Sequence, residues 1–453
     1  ALGERQPANT DDAPDKPTYE EVLPPPDKMS EDRLVLAFAA MMQDELRYVA
    51  LWGQWLRFDG TRWRPDDTLA VFDSVRGLCR QVASFMEEAN LSGLVQKLEK
   101  ANHIAAVERL SRSDRRLAAT TDQWDAAPDL LNTPGGVVDL RTATIRSHDR
   151  HDYMVKQTAV TPDLEPAPDG ATGCPKWHRF LNQITNGDQE LIAYLQRLAG
   201  YALTGRISEH ALAFLWGKGG NGKGTFLSVL QAVMGDYAEV AAVETFIASG
   251  GTSHPADLAK LHGARLVTAQ ETEKGAKWAE SRIKSITGGD TITARFMRQN
   301  YFDFKPQFTL VMAGNHKPRI ENLDQAMRRR LHLVPFTVEI PTDQQIPDLD
   351  RQLEREHEAI LGWAVQGAAQ WYEAGLRPPR AVMEASEAYF SNEDVFGEWL
   401  TERIEDREGW SETSQELFAD WKAFAEARGE RVGTAREFKD QMAERGYSAG
   451  RIT

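Results

Sequence analysis

The stretch LAFLWGKGGNGKGTF, residues Leu212–Phe226, decides the fold at the centre of the chain. An apolar run leads into a glycine-rich loop, Lys223 follows, and a helical pattern extends to Met234. This strand–loop–helix order is typical of a phosphate-binding loop, because glycines let backbone N–H groups surround a polyphosphate and a helix N-terminus adds positive potential. We expect phosphate contacts from Gly217, Gly219, Gly220, Asn221, Gly222, Lys223, Gly224 and Thr225.

One position departs from the usual pattern of such a loop. The lysine is normally followed by Ser or Thr, whose hydroxyl holds Mg²⁺. Here Gly224 follows Lys223, and the hydroxyl comes one residue later, at Thr225. Nucleotide binding tolerates this change, whereas the direct metal contact is placed in question. The alternative interpretation of the stretch is a glycine-rich turn with an accidental lysine.

Length and composition limit the classes of protein. The 453 residues suffice for about three domains. No apolar run reaches membrane-spanning length, and the two cysteines lack a metal-binding spacing, so we expect a cytoplasmic protein without a membrane partner. The net charge of −15 argues against coating of DNA through overall basicity. Charge acts only within a Debye length, so a basic channel inside an acidic exterior stays open.

The region before the glycine loop has two kinds of composition. Residues 1–30 are rich in Pro, Asp, Glu and Ala, which predicts a disordered linker and a chain that is the C-terminal part of something longer. In residues 31–176 helical and strand patterns alternate, which predicts a mixed α+β domain. Trp52, Trp55 and Trp63 suit either base stacking or the core of this domain, and we expect the core.

An acidic strand end follows the glycine loop. In Ala264–Glu273, ARLVTAQETE, an apolar strand ends in Gln270, Glu271 and Glu273. A carboxylate at such a strand end orients Mg²⁺ or the attacking water beside a phosphate loop. We expect Glu271 to be the principal acid and, with Thr225, a Mg²⁺ ligand, and Glu273 to be second. An exposed strand end that happens to be acidic is the alternative.

A basic hairpin is predicted in Lys284–Phe304, where a Gly-Gly-Asp turn precedes two strand patterns. Arg295, Arg298 and, near the base, Lys305 suit the gripping of phosphates, and the aromatic residues between them add base stacking. A solvated hairpin without a ligand fits the same pattern, so this segment alone decides nothing.

The last pattern of the central region joins a polar strand end to an arginine cluster. The strand that begins near Phe308 ends at Asn315, where an amide suits sensing of a γ-phosphate or positioning of water. Arg328, Arg329 and Arg330 follow on a short helical pattern. A guanidinium supplied across a subunit interface acts as an arginine finger, although three consecutive arginines are usually a solvated face.

These motifs stand in a fixed order between Gly217 and Arg330. The order, and the segments GKGGNGKGTF, RLVTAQETE, KSITGGDTITAR, FTLVMAGNHKP and RRRLHLVPF, resemble the superfamily 3 helicases, specifically the phage and plasmid primase–helicase family. Upstream, DGTRWRPD and LLNTPGGVVDLRT resemble the N-terminal accessory domain of that family. The resemblance covers most of Leu46–Pro341.

The resemblance implies an α/β fold with an AAA+-like P-loop core and a parallel sheet. It implies a hexameric ring, with ATP and Mg²⁺ between subunits and single-stranded or forked DNA in the channel. Carried over position by position, Lys223 holds the phosphates, Glu271 is the acid, Asn315 is the sensor, Arg329 or Arg330 is the finger in trans, Arg295 and Arg298 contact DNA, and Lys284 matches a basic position before the glycine turn.

The same interpretation divides the chain into a linker (1–30), an accessory domain (31–176), an ATPase core with a preceding helical segment (177–345), a helical connector (346–380) and a C-terminal domain (381–453). Three short helices ending at a strand near Tyr447 resemble a winged helix, which suits DNA binding or docking of a partner.

We therefore expect an ATP-dependent replicative DNA helicase of a phage, plasmid or mobile element, acting in the cytoplasm of a bacterial host. A primase or polymerase module before residue 1 is a candidate partner. Two alternatives stay open: an initiator or loader that remodels DNA without unwinding it, and a non-catalytic scaffold whose ATP site only stabilises oligomers, which Gly224 favours.

Overall fold

The computed structural model describes residues 29–165, 173–248, 255–270, 275–295, 301–320, 324–405, 411–429 and 431–448. Its first part alternates short strands with helices, as the sequence predicts. The elements are α1 (Glu31–Met42), β1 (Leu46–Val49), β2 (Gln54–Phe58), β3 (Trp63–Pro65), α2 (Ala70–Glu88), α3 (Ser92–Leu98), α4 (Ala101–Ser111), β4 (Ala118–Ala119), β5 (Leu130–Thr133), β6 (Gly136–Asp139) and β7 (Thr144–Arg146).

Two small sheets organise this first part, with strand orders β3-β2-β1-β4 and β5-β6-β7. Helices α1 to α4 share one apolar cluster with Leu46 and Trp55 of the first sheet. Trp55 and Trp63 are 7% and 0% exposed, so the predicted core role is confirmed for both. Trp52, at the turn between β1 and β2, is 40% exposed.

The central part of the chain contains the glycine loop and the elements around it. They are α5 (Pro175–Ile184), α6 (Gln189–Leu203), β8 (Leu212–Trp216), α7 (Lys223–Met234), β9 (Ala238–Val240), α8 (Pro255–Ala259), β10 (Leu266–Gln270), α9 (Glu280–Gly288), β11 (Ile292–Ala294), β12 (Phe302–Phe304), β13 (Thr309–Gly314), α10 (Gln325–Arg328) and β14 (Leu331–Pro335).

Helices make up the regular structure of the last part. They are α11 (Leu349–Glu354), α12 (His357–Ala374), α13 (Arg380–Glu393), α14 (Val395–Arg403), α15 (Ser414–Ala427) and α16 (Ala435–Glu444). Helix α12 packs along α6, and α13 packs on β14. Helices α14 to α16 surround their own apolar cluster, which includes Trp399, Phe424 and Phe438. None of the helices within the described ranges is long and apolar enough to cross a membrane.

The large sheet is parallel, with the strand order β14-β8-β13-β10-β9. Alternate residues of β8 face different layers: Ala213 and Leu215 join the cluster of α6, α7 and α12, whereas Leu212 and Phe214 join that of α9 and α13. A parallel sheet is apolar on both faces and needs this double cover. The predicted α/β class with a parallel sheet is confirmed.

A buried arginine joins the first part of the chain to the sheet. Arg265, just before β10, is 1% exposed, and its guanidinium donates to the carbonyl oxygens of Ala127, Leu130 and Leu203 at 2.8–3.1 Å. The guanidinium carbon lies 4.5 Å from the centroid of the Tyr237 ring. Neutral oxygens and an aromatic face thus surround this desolvated cation, although its Nε has no hydrogen-bond partner among the described residues, and the contacts hold the first part of the chain against the sheet.

The C-terminal boundary differs from the predicted one at 380/381. Tyr389 and Phe390 of α13 lie in the apolar cluster of the sheet, and the Leu333 backbone N–H donates to Ser386 Oγ at 2.9 Å. The small helical cluster begins only at Val395. No strand follows α16 in the described residues, which continue to Ser448, so the strand predicted near Tyr447 is not found there. The winged-helix assignment stays a prediction.

Candidate functional site

The glycine loop, residues 217–222, connects β8 to α7 and is packed from behind. A Cβ atom at Gly217 would lie 2.0 Å from Phe336 O, and one at Gly222 would lie 2.5 Å from Ile184 Cγ2. Gly222 also has φ +80°, which disfavours other residues. Helix α5 and the end of β14 therefore hold the loop in a conformation that only glycine permits at these two positions.

Lys223 is the first residue of α7, and its ammonium group is turned back into the loop. Its Nζ donates to Gly217 O at 2.7 Å, Asn221 Oδ1 at 2.8 Å and Asn315 Oδ1 at 3.3 Å. Lys223 is 7% exposed, and burial lowers the pKa of its ammonium group. Among the described residues no carboxylate lies within ion-pair distance of Nζ. Its hydrogen-bond acceptors in the described part of the chain are all neutral oxygens.

Asn221 orients this lysine from inside the loop. Its Oδ1 accepts from Lys223, while its Nδ2 donates to Phe336 O at 2.7 Å. Asn221 is 3% exposed, so both ends of its amide are used within the protein. The two hydrogen bonds fix the amide orientation and direct an oxygen toward the lysine.

Asn315 comes immediately after β13, which pairs with β8 on one side and with β10 on the other. Because parallel strands end at the same edge of a sheet, Asn315 and the glycine loop meet at the carboxyl edge. Open α/β sheets bind their ligands at this edge. The structure thus brings together Lys223, Asn221 and Asn315, three of the residues that the sequence singles out.

Open space lies over the middle of the loop and the start of α7. A Cβ atom at Gly219, Gly220 or Gly224 would meet no heavy atom within 4 Å. Gly224 is exposed and Thr225 is partly buried. The described residues contain no group of three or more His, Cys, Asp or Glu that could hold a metal ion. Of the predicted Mg²⁺ ligands only Thr225 lies in the described ranges, so these residues do not by themselves form a metal site.

Three predicted site residues lie outside the described residues. Glu271 and Glu273 follow the end of β10, and Arg298 lies between β11 and β12. The strands that lead to them are described. The end of β10 is separated from β8 by β13 alone.

The three consecutive arginines have different surroundings. Arg328 pairs with Glu387 of α13 at 3.2 Å, with its guanidinium carbon 5.2 Å from the Phe390 ring centroid. Arg330 is 9% exposed and donates to Thr287 Oγ1 at 3.1 Å and Ala326 O at 3.0 Å. Arg329 is exposed and has no ion pair with any described residue. Of the three arginines, Arg329 is the one that is exposed and whose guanidinium has no hydrogen bond or ion pair to a residue that the structure describes.

The predicted hairpin is present, with Ile292, Thr293 and Ala294 of β11 paired antiparallel to β12. Arg295 is exposed, and its guanidinium carbon lies 4.8 Å from the Tyr301 ring centroid. Lys305 is also exposed. Lys284, for which a DNA contact stays a prediction, forms an ion pair with Asp324, and its Nζ lies 3.9 Å from Glu280 Oε2. These carboxylates offset the charge of Lys284, which lies on α9, the helix that leads into the hairpin.

Sequence patterns miss a second lysine at the carboxyl edge. Lys317 Nζ lies 4.1 Å from the centroid of the Trp216 ring, and burial lowers the pKa of Lys317. Trp216 ends β8, and Lys317 follows Asn315 by two residues. The sequence contains both residues, but their contact depends on β8 and β13 being neighbours, which the sequence alone does not give.

Two family models match the chain. The model "D5 N terminal like" matches residues 35–186, and "Family of unknown function (DUF5906)" matches residues 215–330. "Putative helicase L207/L206" of Acanthamoeba polyphaga mimivirus is 32% identical over 159 residues, which cover 35% of this chain and 16% of the relative. The chain matches the phage-type primase–helicase family.

Other relatives of the chain come from large DNA viruses. "Putative helicase 022R" of Frog virus 3 is 25% identical over 276 residues, 56% of this chain and 28% of the relative. "Putative primase C962R" of African swine fever virus (isolate Warthog/Namibia/Wart80/1980) is 25% identical over 308 residues, 62% of this chain and 31% of the relative. The chain thus spans less than a third of the length of these relatives.

Among solved structures, the apo A form of the NrS-1 C-terminal region is similar to the chain. The match has a TM-score of 0.47 and 11% identity, and covers 88% of this chain and 81% of that one.

Proposed function

We propose that the chain is an ATP-driven DNA helicase that works as a hexameric ring on single-stranded DNA. One observation carries the proposal: a buried lysine ammonium group, without a described counter-ion, is shared between the glycine loop and Asn315. Buried Arg265 and Arg330 also donate to neutral oxygens, but Lys223 adjoins the open space beside Gly224, where an anion can reach it. The relatives named as helicases and primases support a role in DNA replication.

In this proposal the triphosphate occupies the open space over Gly219 and Gly220. The loop supplies backbone N–H donors, and Lys223 exchanges its hydrogen bond with Gly217 O for phosphate oxygens. Asn221 remains bonded to Phe336 O and keeps the lysine directed into the site. ATP is the proposed nucleotide, because no segment of the sequence resembles a guanine-reading motif.

The reacting end of the nucleotide lies toward Asn315 in this scheme. The amide is 3.3 Å from Lys223 Nζ, so a γ-phosphate bound to the lysine would be within reach of Asn315. Glu271, with Glu273 second, is the proposed acid that orients the attacking water, because it follows the strand next to β13. Mg²⁺ would arrive with ATP and neutralise phosphate charge, and Thr225 and Glu271 are its proposed ligands in the chain.

Hydrolysis in the proposed ring is completed by the neighbouring subunit. Arg329 is the proposed finger, since it is exposed while Arg328 and Arg330 are bonded within their own subunit. An arginine supplied in trans accelerates phosphoryl transfer by about 10³–10⁵-fold in other nucleotide hydrolases. The hairpin would contact the DNA backbone through Arg295, Arg298 and Lys305, of which Arg295 and Lys305 are exposed cations on a protein of net charge −15.

Strand separation on a forked DNA duplex tests the proposal. The wild-type protein, supplied with ATP and Mg²⁺, should release the displaced strand and hydrolyse ATP faster when single-stranded DNA is added. Hydrolysis without strand release would favour the initiator or loader. Equal, negligible phosphate release by the wild type and Lys223→Ala would favour the scaffold, the candidate that the missing hydroxyl at Gly224 supports.

A further inference from the structure

Helix α9, which leads into the hairpin, and the segment that follows α10, which contains Arg329 and Arg330, meet at the amino edge of the large sheet. Thr287, in the last turn of α9, accepts a hydrogen bond from Arg330 Nε at 3.1 Å. Arg330 directly precedes β14, and both residues are at most 9% exposed. This hydrogen bond therefore connects two elements inside the protein, where it is shielded from competing water.

A second contact ties the same two parts of the chain together. Lys284, one turn before Thr287 on α9, forms an ion pair with Asp324. Asp324 is the N-cap of α10, and its Oδ1 accepts from Met327 N at 2.8 Å. Residues 284 and 287 lie on one face of a helix, so α9 is joined at two points along that face to the segment Asp324–Arg330, which contains α10.

The base of the hairpin is fixed to α9 rather than free of it. Gly289 ends the helix at φ +82°, where a Cβ atom would lie 2.4 Å from Ile207 Cδ1. His210 Nδ1 lies 2.8 Å from Thr287 O. Only Asp290 and Thr291 separate this helix end from β11, whose Ile292 shares the apolar cluster of α9. A displacement of the helix end is therefore transmitted to the hairpin.

We infer that the Thr287–Arg330 contact is a joint that couples the arginine finger of a subunit to the DNA hairpin of the same subunit. Arg329 stands next to Arg330 in sequence, so engagement of Arg329 with a neighbouring nucleotide acts directly on the joint. Thr287 and Arg330 are positioning residues in this inference, which rests on the proposed function.

The nucleotide that acts on a hairpin is the one held by the neighbouring subunit. The nucleotide site of the subunit lies at the carboxyl edge, roughly 15 Å away along five-residue strands. The joint lies at the amino edge, next to the finger. Each hairpin consequently responds to the nucleotide held by the neighbour, through packed elements with few free torsions.

Thr287→Val and Thr287→Ser form a matched pair that tests the joint. Valine keeps the branched shape of threonine and removes the hydroxyl to which Arg330 donates. Serine keeps that hydroxyl and removes the methyl group. In the assembled full chain, Thr287→Val should keep the basal rate of ATP hydrolysis. The factor by which single-stranded DNA raises that rate, the stimulation ratio, should be about fivefold smaller than in the wild type. Thr287→Val should also consume more ATP for each base pair opened on a forked duplex. Thr287→Ser should match the wild type in both measurements.

A second variant covers the case in which Thr287→Val does not fold. Asp324→Asn keeps a capping side chain on α10 and removes the charge that pairs with Lys284. It should reduce the stimulation ratio in the same direction, by a smaller factor. The inference is overturned if folded Thr287→Val and Asp324→Asn keep the wild-type ratio, or if basal hydrolysis falls in proportion to the stimulated rate.

The two levels of failure are distinguishable in this experiment. A wild-type protein that shows no hydrolysis, or no response to DNA, overturns the proposed function and the joint with it. A wild-type protein that responds to DNA, alongside variants that respond equally well, overturns the joint alone.

Discussion

Positively charged side chains have different surroundings at the two edges of the parallel sheet. At the carboxyl edge, the ammonium group of Lys223 donates to three neutral oxygens and to no described carboxylate. At the amino edge, Lys284 pairs with Asp324, and Arg330 is bonded to the helix it supports. Arg330 also donates to neutral oxygens, Thr287 Oγ1 and Ala326 O, but it is enclosed between packed elements, whereas Lys223 adjoins the open space beside Gly224, where an anion can reach it. The difference indicates a ligand site at one edge and a structural joint at the other.

Space around the glycines follows the same division. Gly219, Gly220 and Gly224 border open space at the carboxyl edge, whereas Gly289 at the amino edge is packed against Ile207. A ligand fits only where the protein leaves room. Apart from the arginine variant in the final experiment, each substitution proposed below changes a residue at the carboxyl edge and leaves the amino edge intact.

The largest expected effect comes from removing the uncompensated cation. Lys223→Ala should reduce the rate of ATP hydrolysis by about 10²–10³-fold, because the lysine is the proposed phosphate contact and its charge acts in a desolvated site. Phosphate release at saturating DNA is the measurement.

Lys218→Ala is the matched control for that change. Lys218 belongs to the same loop and is exposed, so its removal should alter the rate by less than about threefold. Comparable losses in both variants would contradict the special role of the buried lysine.

A smaller effect is expected when a carboxylate is placed directly beside the ammonium group of Lys223. Asn315→Asp places a negative charge about where Oδ1 now lies, 3.3 Å from Lys223 Nζ. The new ion pair competes with phosphate, so ATP affinity should fall by about tenfold, equivalent to ~1.4 kcal/mol.

Asn315→Ala separates this charge effect from the loss of the amide. The alanine variant should lose turnover but keep most of its ATP affinity, as measured by equilibrium binding of a fluorescent ATP analogue. Equal affinity for ATP in the aspartate and alanine variants would show that Asn315 lies outside the phosphate site.

The smallest effect concerns the missing hydroxyl. Gly224→Ser fits without a clash and adds the oxygen that such loops usually direct to Mg²⁺. The Mg²⁺ concentration for half-maximal hydrolysis should fall by about threefold, as expected for one added polar contact. Gly224→Ala also replaces glycine by a residue of higher helix propensity but adds no oxygen. If both variants lower the half-maximal Mg²⁺ concentration equally, the effect comes from the helix and not from the hydroxyl.

The parallel core was largely predictable because its signals are local. The strands at Leu212 and Leu266 and the helix ending at Met234 lie within two residues of their expected bounds. Each is a run of apolar residues with the correct period, ended by glycines or polar residues. The pairing of β11 with β12 was likewise predicted from a turn signal and alternation.

What the sequence did not give depends on contacts between distant segments. The roles of Arg329 and Arg330 were left undecided, and burial against Thr287 separates them in the structure. Lys284, whose DNA contact stays a prediction, forms an ion pair with Asp324, forty residues later, which no local pattern indicates. The packing of α13 on β14 likewise spans some fifty residues, so a local pattern read it as the start of a new domain. Periodicity does not report such pairings.

The central claim is that a nucleotide held by Lys223 of one subunit is hydrolysed with Arg329 of the next. Mixing the Lys223→Ala and Arg329→Ala proteins before ring assembly tests it most directly, with phosphate release as the readout. Each variant alone should be inactive, and a random equal mixture should recover roughly one quarter of the wild-type rate, because that fraction of interfaces combines two intact residues. No recovery at any mixing ratio would contradict the shared site.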